Sequence, residues 1–181
     1  LKRLHLEHNH LESLPPSLTA LHNLIELNLH SNSFRSFPES FANLHSLTSL
    51  TLSENNFSTL PGCVFQLPAL RELRLGTNNL AQLSPSIAKL GCLQLLDIVH
   101  NRLDALPIEM FGLTQVRVWF LLLGLCVWFI CFVLSLIMPQ SHNHITQLTE
   151  LRVDGNNLTE LPAELSQLVS LRTLSASNNQ L

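Results

Sequence analysis

The chain has 181 residues, enough for one domain of ordinary size. Ten Lys and Arg residues stand against 13 Asp and Glu residues, which gives a formal net charge of −3. This near-balance excludes the strongly basic composition that a nucleic-acid-binding protein needs. Only six glycines occur and none are clustered, so the sequence has no glycine-rich phosphate loop.

A repeat of 23 residues begins at the first residue. The pattern L-x-x-L-x-L/I-x-x-N opens at Leu1, Leu24, Leu47, Leu70, Leu93, Leu148 and Leu171, with Val or Ala at the third apolar position in the last two copies. Alternation such as Leu4-His5-Leu6 is the period of a half-buried β-strand. One copy cannot bury its leucines, but stacked copies share a continuous core. We therefore predict parallel strands around a common interior lined by Leu4, Leu27, Leu50, Leu73, Leu96 and Leu151.

An asparagine follows each predicted strand, where the chain turns back. These residues are Asn9, Asn32, Asn55, Asn78, Asn101, Asn156 and Asn179. Because an amide both donates and accepts hydrogen bonds, we expect a stacked column that satisfies the backbone groups of the turn. Most repeats then contain a pair such as Leu14-Pro15 or Phe37-Pro38. Proline lacks an N–H and fixes φ, which predicts an irregular or short helical return path.

These motifs together resemble the leucine-rich-repeat family, in the L-x-x-L-P-x-x-apolar form common among intracellular Ras-group scaffolds. The resemblance implies an α/β solenoid, a horseshoe with a concave parallel β-sheet and an irregular or short-helical convex side. It also implies a cytoplasmic scaffold or recognition module of signal transduction. Such a module binds a protein partner, for example a small GTPase, and needs no cofactor.

One segment interrupts the register. A copy is due at residue 116 but opens at Leu148, and removal of 116–147 restores the 23-residue spacing. We therefore predict repeats 1–5 in residues 1–115, an apolar helical insert in 116–147, and repeats 6–7 in 148–181, the last incomplete. The chain starts without Met and ends inside a repeat, so we expect it to be a piece of a longer protein.

The insert has three interpretations. Residues 118–138 carry no charge, and as a helix they would reach about 30 Å, the thickness of a bilayer core. The segment is a transmembrane span, a hydrophobic loop or helix packed on the solenoid, or a retained or mispredicted intron. The intron hypothesis fits the boundaries, because Gln115-Val116-Arg117 can be encoded CAG-GTR-AGR and Gln147 can be encoded CAG. It also explains why the register resumes in phase.

Function is expected on the outward positions of the strands, which are the third, fifth, seventh and eighth of each repeat. The predicted concave binding residues are Glu72, Arg74, Leu95, Asp97, Val99, His100, Glu150, Arg152 and Asp154. Leu95 and Val99 are apolar groups on a solvent-facing strand, which indicates a contact patch. Without the insert, Arg74, Asp97 and Arg152 would form a ladder of alternating charge. Two alternatives remain open: the recognition region of a membrane-anchored receptor, with 118–138 as its transmembrane helix, and the targeting domain of a larger enzyme such as a kinase.

Catalytic and metal-binding patterns are missing from the sequence. His5, His8 and His30 are expected near Glu7, but nothing fixes the three or four converging ligands that zinc needs. The four cysteines are too few for a disulfide framework, and Cys63 and Cys92 fall at different repeat positions. We therefore predict neither enzyme activity nor a bound metal or cofactor.

Overall fold

The structure is a computed structural model that describes residues 1–111, 145 and 147–181. The proposed helix over 118–138, and nearly all of the predicted insert, lie outside the described residues. The insert and its three interpretations therefore stay predictions. In the part of the chain that is described, no helix has the length and apolar character to cross a membrane.

Seven three-residue strands form one parallel sheet in chain order. They are Arg3–His5 (β1), Glu26–Asn28 (β2), Ser49–Thr51 (β3), Glu72–Arg74 (β4), Leu95–Asp97 (β5), Glu150–Arg152 (β6) and Thr173–Ser175 (β7). Each strand pairs with the next at identical repeat positions, so Leu27 lies beside Leu50 and Leu50 beside Leu73. The predicted leucine-rich-repeat solenoid with parallel strands is confirmed.

Short 3₁₀ helices carry the chain back along the other side of each coil. They span Pro16–Ala20, Glu39–Asn43, Gly62–Gln66, Pro85–Lys89, Ile108–Phe111 and Ala163–Gln167. Pro15, Pro38, Pro61 and Pro162 precede four of them, with φ between −58° and −67°, because the pyrrolidine ring fixes that angle. In repeat 4 the leucine-proline pair is missing. There the Ser84 hydroxyl accepts a hydrogen bond from the Ser86 N–H at 3.2 Å and caps the turn.

The strand leucines share the predicted interior. Leu27, Leu50, Leu73, Leu96 and Leu151 are fully buried, whereas Leu4 is half-buried because no coil covers its outer side. Towards the convex side, Phe34, Phe37, Phe41 and Phe57 form an aromatic group, in which Phe37 stacks on Phe41 with ring centroids 4.4 Å apart. Each coil thus buries its apolar face only against its neighbours, as a solenoid requires.

Repeats 5 and 6 stack as directly as any other pair. Leu96 lies beside Leu151 and Asp97 beside Arg152 in the register of β5 and β6. The hydrogen bond from the Leu103 N–H to Asn156 joins residues 53 apart, where the same bond from Leu80 to Asn101 joins residues 21 apart. The excess is 32 residues, the length of the predicted insert. The sheet is therefore continuous across the insertion point.

Candidate protein-binding face

The asparagine column fixes the turn after each strand. Asn101 Nδ2 donates to the carbonyl oxygens of Leu75 and Ile98, each at 3.0 Å, and its Oδ1 accepts from the Leu80 N–H at 3.1 Å. Asn32, Asn55, Asn78 and Asn156 repeat this set, and all are buried. The column therefore joins each turn to the preceding coil and sets the edge of the outward face.

The residue before each asparagine has a left-handed backbone, which the sequence analysis did not foresee. The φ angle lies between 51° and 63° at His8, Ser31, Glu54, Thr77, His100, Gly155 and Asn178. For most residues this conformation costs about 1–2 kcal/mol, which the hydrogen bonds of the next residue offset. Gly155 and Asn178 carry the clearest compositional signal, since both residue types tolerate it.

Residues of β4, β5 and β6 form two rows across the sheet. Glu72, Leu95 and Glu150 are in register in one row, and Arg74, Asp97 and Arg152 are in register in the other. Five of these six side chains are half-buried and Arg152 is exposed. The structure therefore brings the predicted residues of the three repeats onto one surface, with Leu95 flanked by glutamates and Asp97 by arginines.

The ion pairs on this surface run along the strands. Arg74 Nη1 lies 2.8 Å from Glu72 Oε2, and Arg152 Nε lies 2.6 Å from Glu150 Oε1. Residues two apart share one face of a strand, so the long arginine and glutamate side chains reach each other. The short Asp97 side chain instead accepts from the Val99 N–H at 3.2 Å. The ladder of alternating charge has the register of the expected row, and its arginines form their ion pairs along the strands.

Two glycines make room for side chains of repeat 5. A Cβ atom placed on Gly76 would lie 2.9 Å from Val99 Cγ2, and one placed on Gly155 would collide with the His100 ring. Val99 therefore leans over the backbone of repeat 4, and His100 leans over that of repeat 6. The second contact crosses the insertion point and exists only because repeats 5 and 6 are adjacent.

Asp154 lies after β6 and joins the face to the last repeat. Its Oδ1 accepts from the Ser175 hydroxyl at 2.7 Å and from the Ser177 N–H at 2.6 Å. Partial burial alone would raise the pKa of Asp154, but these hydrogen bonds to the ionised form outweigh it and hold the pKa below the ordinary 3.8. The carboxylate is thus ionised at neutral pH and ties β6 to β7.

The histidines of the first repeats lie beside one or two carboxylates, and His5 Nδ1 is 3.7 Å from Glu7 Oε1. His5 Nε2 lies 3.4 Å from Glu26 Oε1, and His30 Nε2 lies 3.8 Å from Glu54 Oε2. The rings of His8 and His30 meet edge to face at 5.1 Å. Across residues 1–111, 145 and 147–181, no group of three or more His, Cys, Asp or Glu residues is arranged to hold a metal ion.

Cys63 and Cys92 are free thiols. Burial, together with the charge of Glu39, raises the pKa of the Cys63 thiol, which favours the unreactive protonated form. This agrees with the sequence, which gave no reason to expect a bridge between them.

The outward positions carry a net negative charge. Their acidic residues are Glu7, Glu26, Glu54, Glu72, Asp97, Glu150 and Asp154, and their basic residues are Arg3, Arg74 and Arg152. Seven acids against three bases give −4 with neutral histidines, whereas the whole chain carries −3. The negative charge of the chain is therefore concentrated on the outward face.

Comparison with known families defines the class of protein. A leucine-rich-repeat model matches residues 1–57 and 46–103, and a second such model matches residues 147–168. Together these matches cover more than half of the chain, which belongs to the leucine-rich-repeat family. No catalytic family is indicated by these matches. A search of curated proteins gave no match.

Solved structures give more particular likenesses. The chain is 27% identical to a leucine-rich-repeat protein of Leptospira interrogans, with a TM-score of 0.61, covering 99% of this chain and 55% of that one. It is 29% identical to the ectodomain of the Arabidopsis thaliana membrane receptor kinase GASSHO1/SCHENGEN3, solved in complex with CASPARIAN STRIP INTEGRITY FACTOR 2, with a TM-score of 0.71. A TDR receptor has the same TM-score at 25% identity. Both receptor matches include 99% of this chain, but only 18% and 26% of the receptor chains. The chain therefore spans a small part of each receptor.

Proposed function

We propose that this chain is a protein-recognition module of intracellular signalling, which binds a partner on the outward face of β4, β5 and β6. The observation that carries the proposal is the surface around Leu95 and Val99, two half-buried apolar side chains among charged groups on a solvent-facing sheet. Protein interfaces combine such a small apolar centre with a polar rim. A parallel sheet on a stacked core also holds these side chains in fixed positions, which lowers the entropic cost of binding.

The likeness to solved proteins supports protein binding as the general role. Leucine-rich repeats commonly act as interaction modules, and the Arabidopsis ectodomain was solved with another protein factor bound. The cytoplasmic location and a small GTPase as partner rest on the resemblance of the repeat to Ras-group scaffolds. Fold-level analogy of this kind gives a partner class to test.

A second candidate is the recognition region of a membrane-anchored receptor, with 118–138 as the span. The uncharged segment and the likeness to receptor ectodomains favour it. The pairing of β5 with β6 weighs against it, because a single span between them would place these strands on opposite sides of a bilayer. The third candidate, a targeting domain of a larger enzyme, predicts a catalytic domain in the full-length protein.

Photo-crosslinking tests where the partner binds. A photoreactive residue at Leu95 is compared with one at the exposed Lys89 of the convex side, in cells that express the chain. We expect a crosslinked protein from position 95 and none from position 89, and identification of a small GTPase would support the partner class. Equal yields from both positions, or crosslinks from Lys89 alone, would contradict binding on the sheet.

Two natural glycosylation sequons test the location. Asn56-Phe57-Ser58 and Asn157-Leu158-Thr159 lie on either side of the insert, and both asparagines are exposed. A cytoplasmic chain carries no glycan in a mammalian cell, whereas a single span through 118–138 exposes only one sequon to the lumen and yields one glycan. Two glycans would mean that both halves lie in the lumen. Either glycosylated outcome overturns the intracellular assignment.

A further inference from the structure

We infer that the partner presents a lysine or arginine next to an apolar residue, and that this pair docks on Asp97 together with Leu95 and Val99. This inference rests on the proposed function and specifies the chemistry of the polypeptide that the same face recognises. Three features of this surface support the inference: its charges, the position of its apolar side chains and the spacing of its two rows.

The charges favour a cationic partner because the arginines of this face are already paired. Arg74 and Arg152 are bonded to Glu72 and Glu150 on their own strands. Among the described residues, the only hydrogen bond that the Asp97 carboxylate makes is the one from Val99 to Oδ1. Oδ2 is therefore left to accept a charge-assisted hydrogen bond from a partner cation, on a sheet whose outward positions together carry −4.

The apolar side chains of the face are held in place by their neighbours. Val99 lies against Gly76, where any side chain would collide with it, so its methyl groups cover a glycine backbone. Asp97 Oδ1 would lie 3.6 Å from the same added Cβ, so Val99 and Asp97 lie side by side over Gly76. Leu95 lies two residues before Asp97 on the same face of β5.

The spacing suits one cation with one apolar neighbour. Same-face residues of a strand are about 6.6 Å apart, and neighbouring strands are about 4.8 Å apart. Leu95 and Val99 therefore lie on opposite sides of Asp97 within the reach of two adjacent side chains of a polypeptide. A purely acidic segment would instead meet Glu72, Asp97 and Glu150 at close range, and like-charge contacts of that kind disfavour binding.

A selection from a display library of random peptides tests the inference. The full-length chain is the target, and a chain with the double substitution Asp97→Asn and Leu95→Ala is used for counter-selection. Asn keeps an oxygen that can accept from the Val99 N–H, so the fold is preserved, and circular dichroism checks this. Asp104→Asn removes the same charge from an exposed site outside the strands and serves as the matched control.

We expect the selected peptides to be enriched in Lys or Arg adjacent to an apolar residue. Asp97→Asn should weaken their binding about tenfold and Asp104→Asn should leave it unchanged. Arg74→Ala should strengthen peptide binding, because the substitution removes the ion-pair partner of Glu72. Raising the salt from 0.1 M to 1 M shortens the Debye length from about 10 Å to about 3 Å. Peptide binding to the natural chain should therefore weaken at the higher salt.

The two proposals fail in different ways. Peptides of another composition that still depend on Asp97 and Leu95 would overturn the cationic partner and leave the binding face standing. Peptides that bind the double variant as tightly as the natural chain, or the absence of any selected peptide, would overturn both.

Discussion

Replacement of Asn101 by alanine tests whether the asparagine column holds the coils together. The substitution leaves the buried Leu80 N–H without its acceptor, because Asn101 Oδ1 is its partner in the structure. The carbonyl oxygens of Leu75 and Ile98 each keep one bond, from Asn78 and Asn156 respectively. Asn101 Nδ2 also donates to the Val99 carbonyl oxygen, which keeps the bond from the Thr77 N–H. One orphaned buried donor and three lost bonds, whose acceptors each keep a partner, sum to about 3 kcal/mol of unfolding free energy.

The matched control is Asn9→Ala in the first repeat. Asn9 is exposed, and its amide donates only to the Leu6 and Glu7 carbonyl oxygens of its own turn, at 3.1 and 3.0 Å. Water can replace these bonds, so we expect a loss below about 1 kcal/mol. Both variants are compared with the natural chain by urea denaturation followed by circular dichroism. Equal losses at the two positions, or a loss at Asn101 below about 0.5 kcal/mol, would refute the role assigned to the column.

Three further predictions concern the core, the insert and Asp154. Leu73→Asp should unfold the stack because it buries an unpaired charge, whereas Arg74→Ala should stay folded. Equal solubility and equal melting curves for the two variants would show that the inward and outward sides of β4 have been assigned wrongly. Deletion of 116–147 shortens the connection after Phe111 from 36 residues to 4, which should raise stability by about 2 kcal/mol through loop entropy; a chain that no longer folds would contradict the continuous stack. Because its pKa is lower in the folded state, Asp154 contributes stability that is present above pH 3.8 and is lost as the pH falls through the folded pKa. Asp154→Asn should therefore be less stable than the natural chain at neutral pH, and the difference in denaturation midpoint should shrink in acid; a gap that stays constant with pH would contradict this.

The solenoid was predictable because the same residue types recur at one fixed spacing. Each leucine of the interior and each asparagine of the column is supported by the other copies, so an atypical copy such as the one that opens at Leu171 does not hide the pattern. The register that resumes at Leu148 predicted the row of Arg74, Asp97 and Arg152 only for a chain without the insert, and β5 pairs with β6 in that register in the chain that contains it.

Features that depend on single contacts were not predictable. The left-handed residue before each asparagine is Ser, Glu or Thr in three copies, which are types that give no signal for positive φ, and His in two copies, which gives only a weak one. The partner of Arg74 depended on side-chain reach, since Glu72 and Asp97 are both close neighbours in the sheet. Gly76 and Gly155 leave space for the side chains of Val99 and His100, which belong to another repeat, so the sequence around each glycine does not reveal its role.

Disulfide trapping between β5 and β6 tests most directly whether one unbroken face spans the insertion point. Asp97 and Arg152 are register partners on neighbouring strands, about 4.8 Å apart, which is within the range that a disulfide bridges. The chain carrying Asp97→Cys and Arg152→Cys should form this crosslink on mild oxidation, as detected by peptide mass spectrometry. The pair Asp97→Cys and Ser175→Cys, two strands apart, should not. Failure of the first pair to crosslink, or equal crosslinking of both pairs, would contradict the continuous binding face.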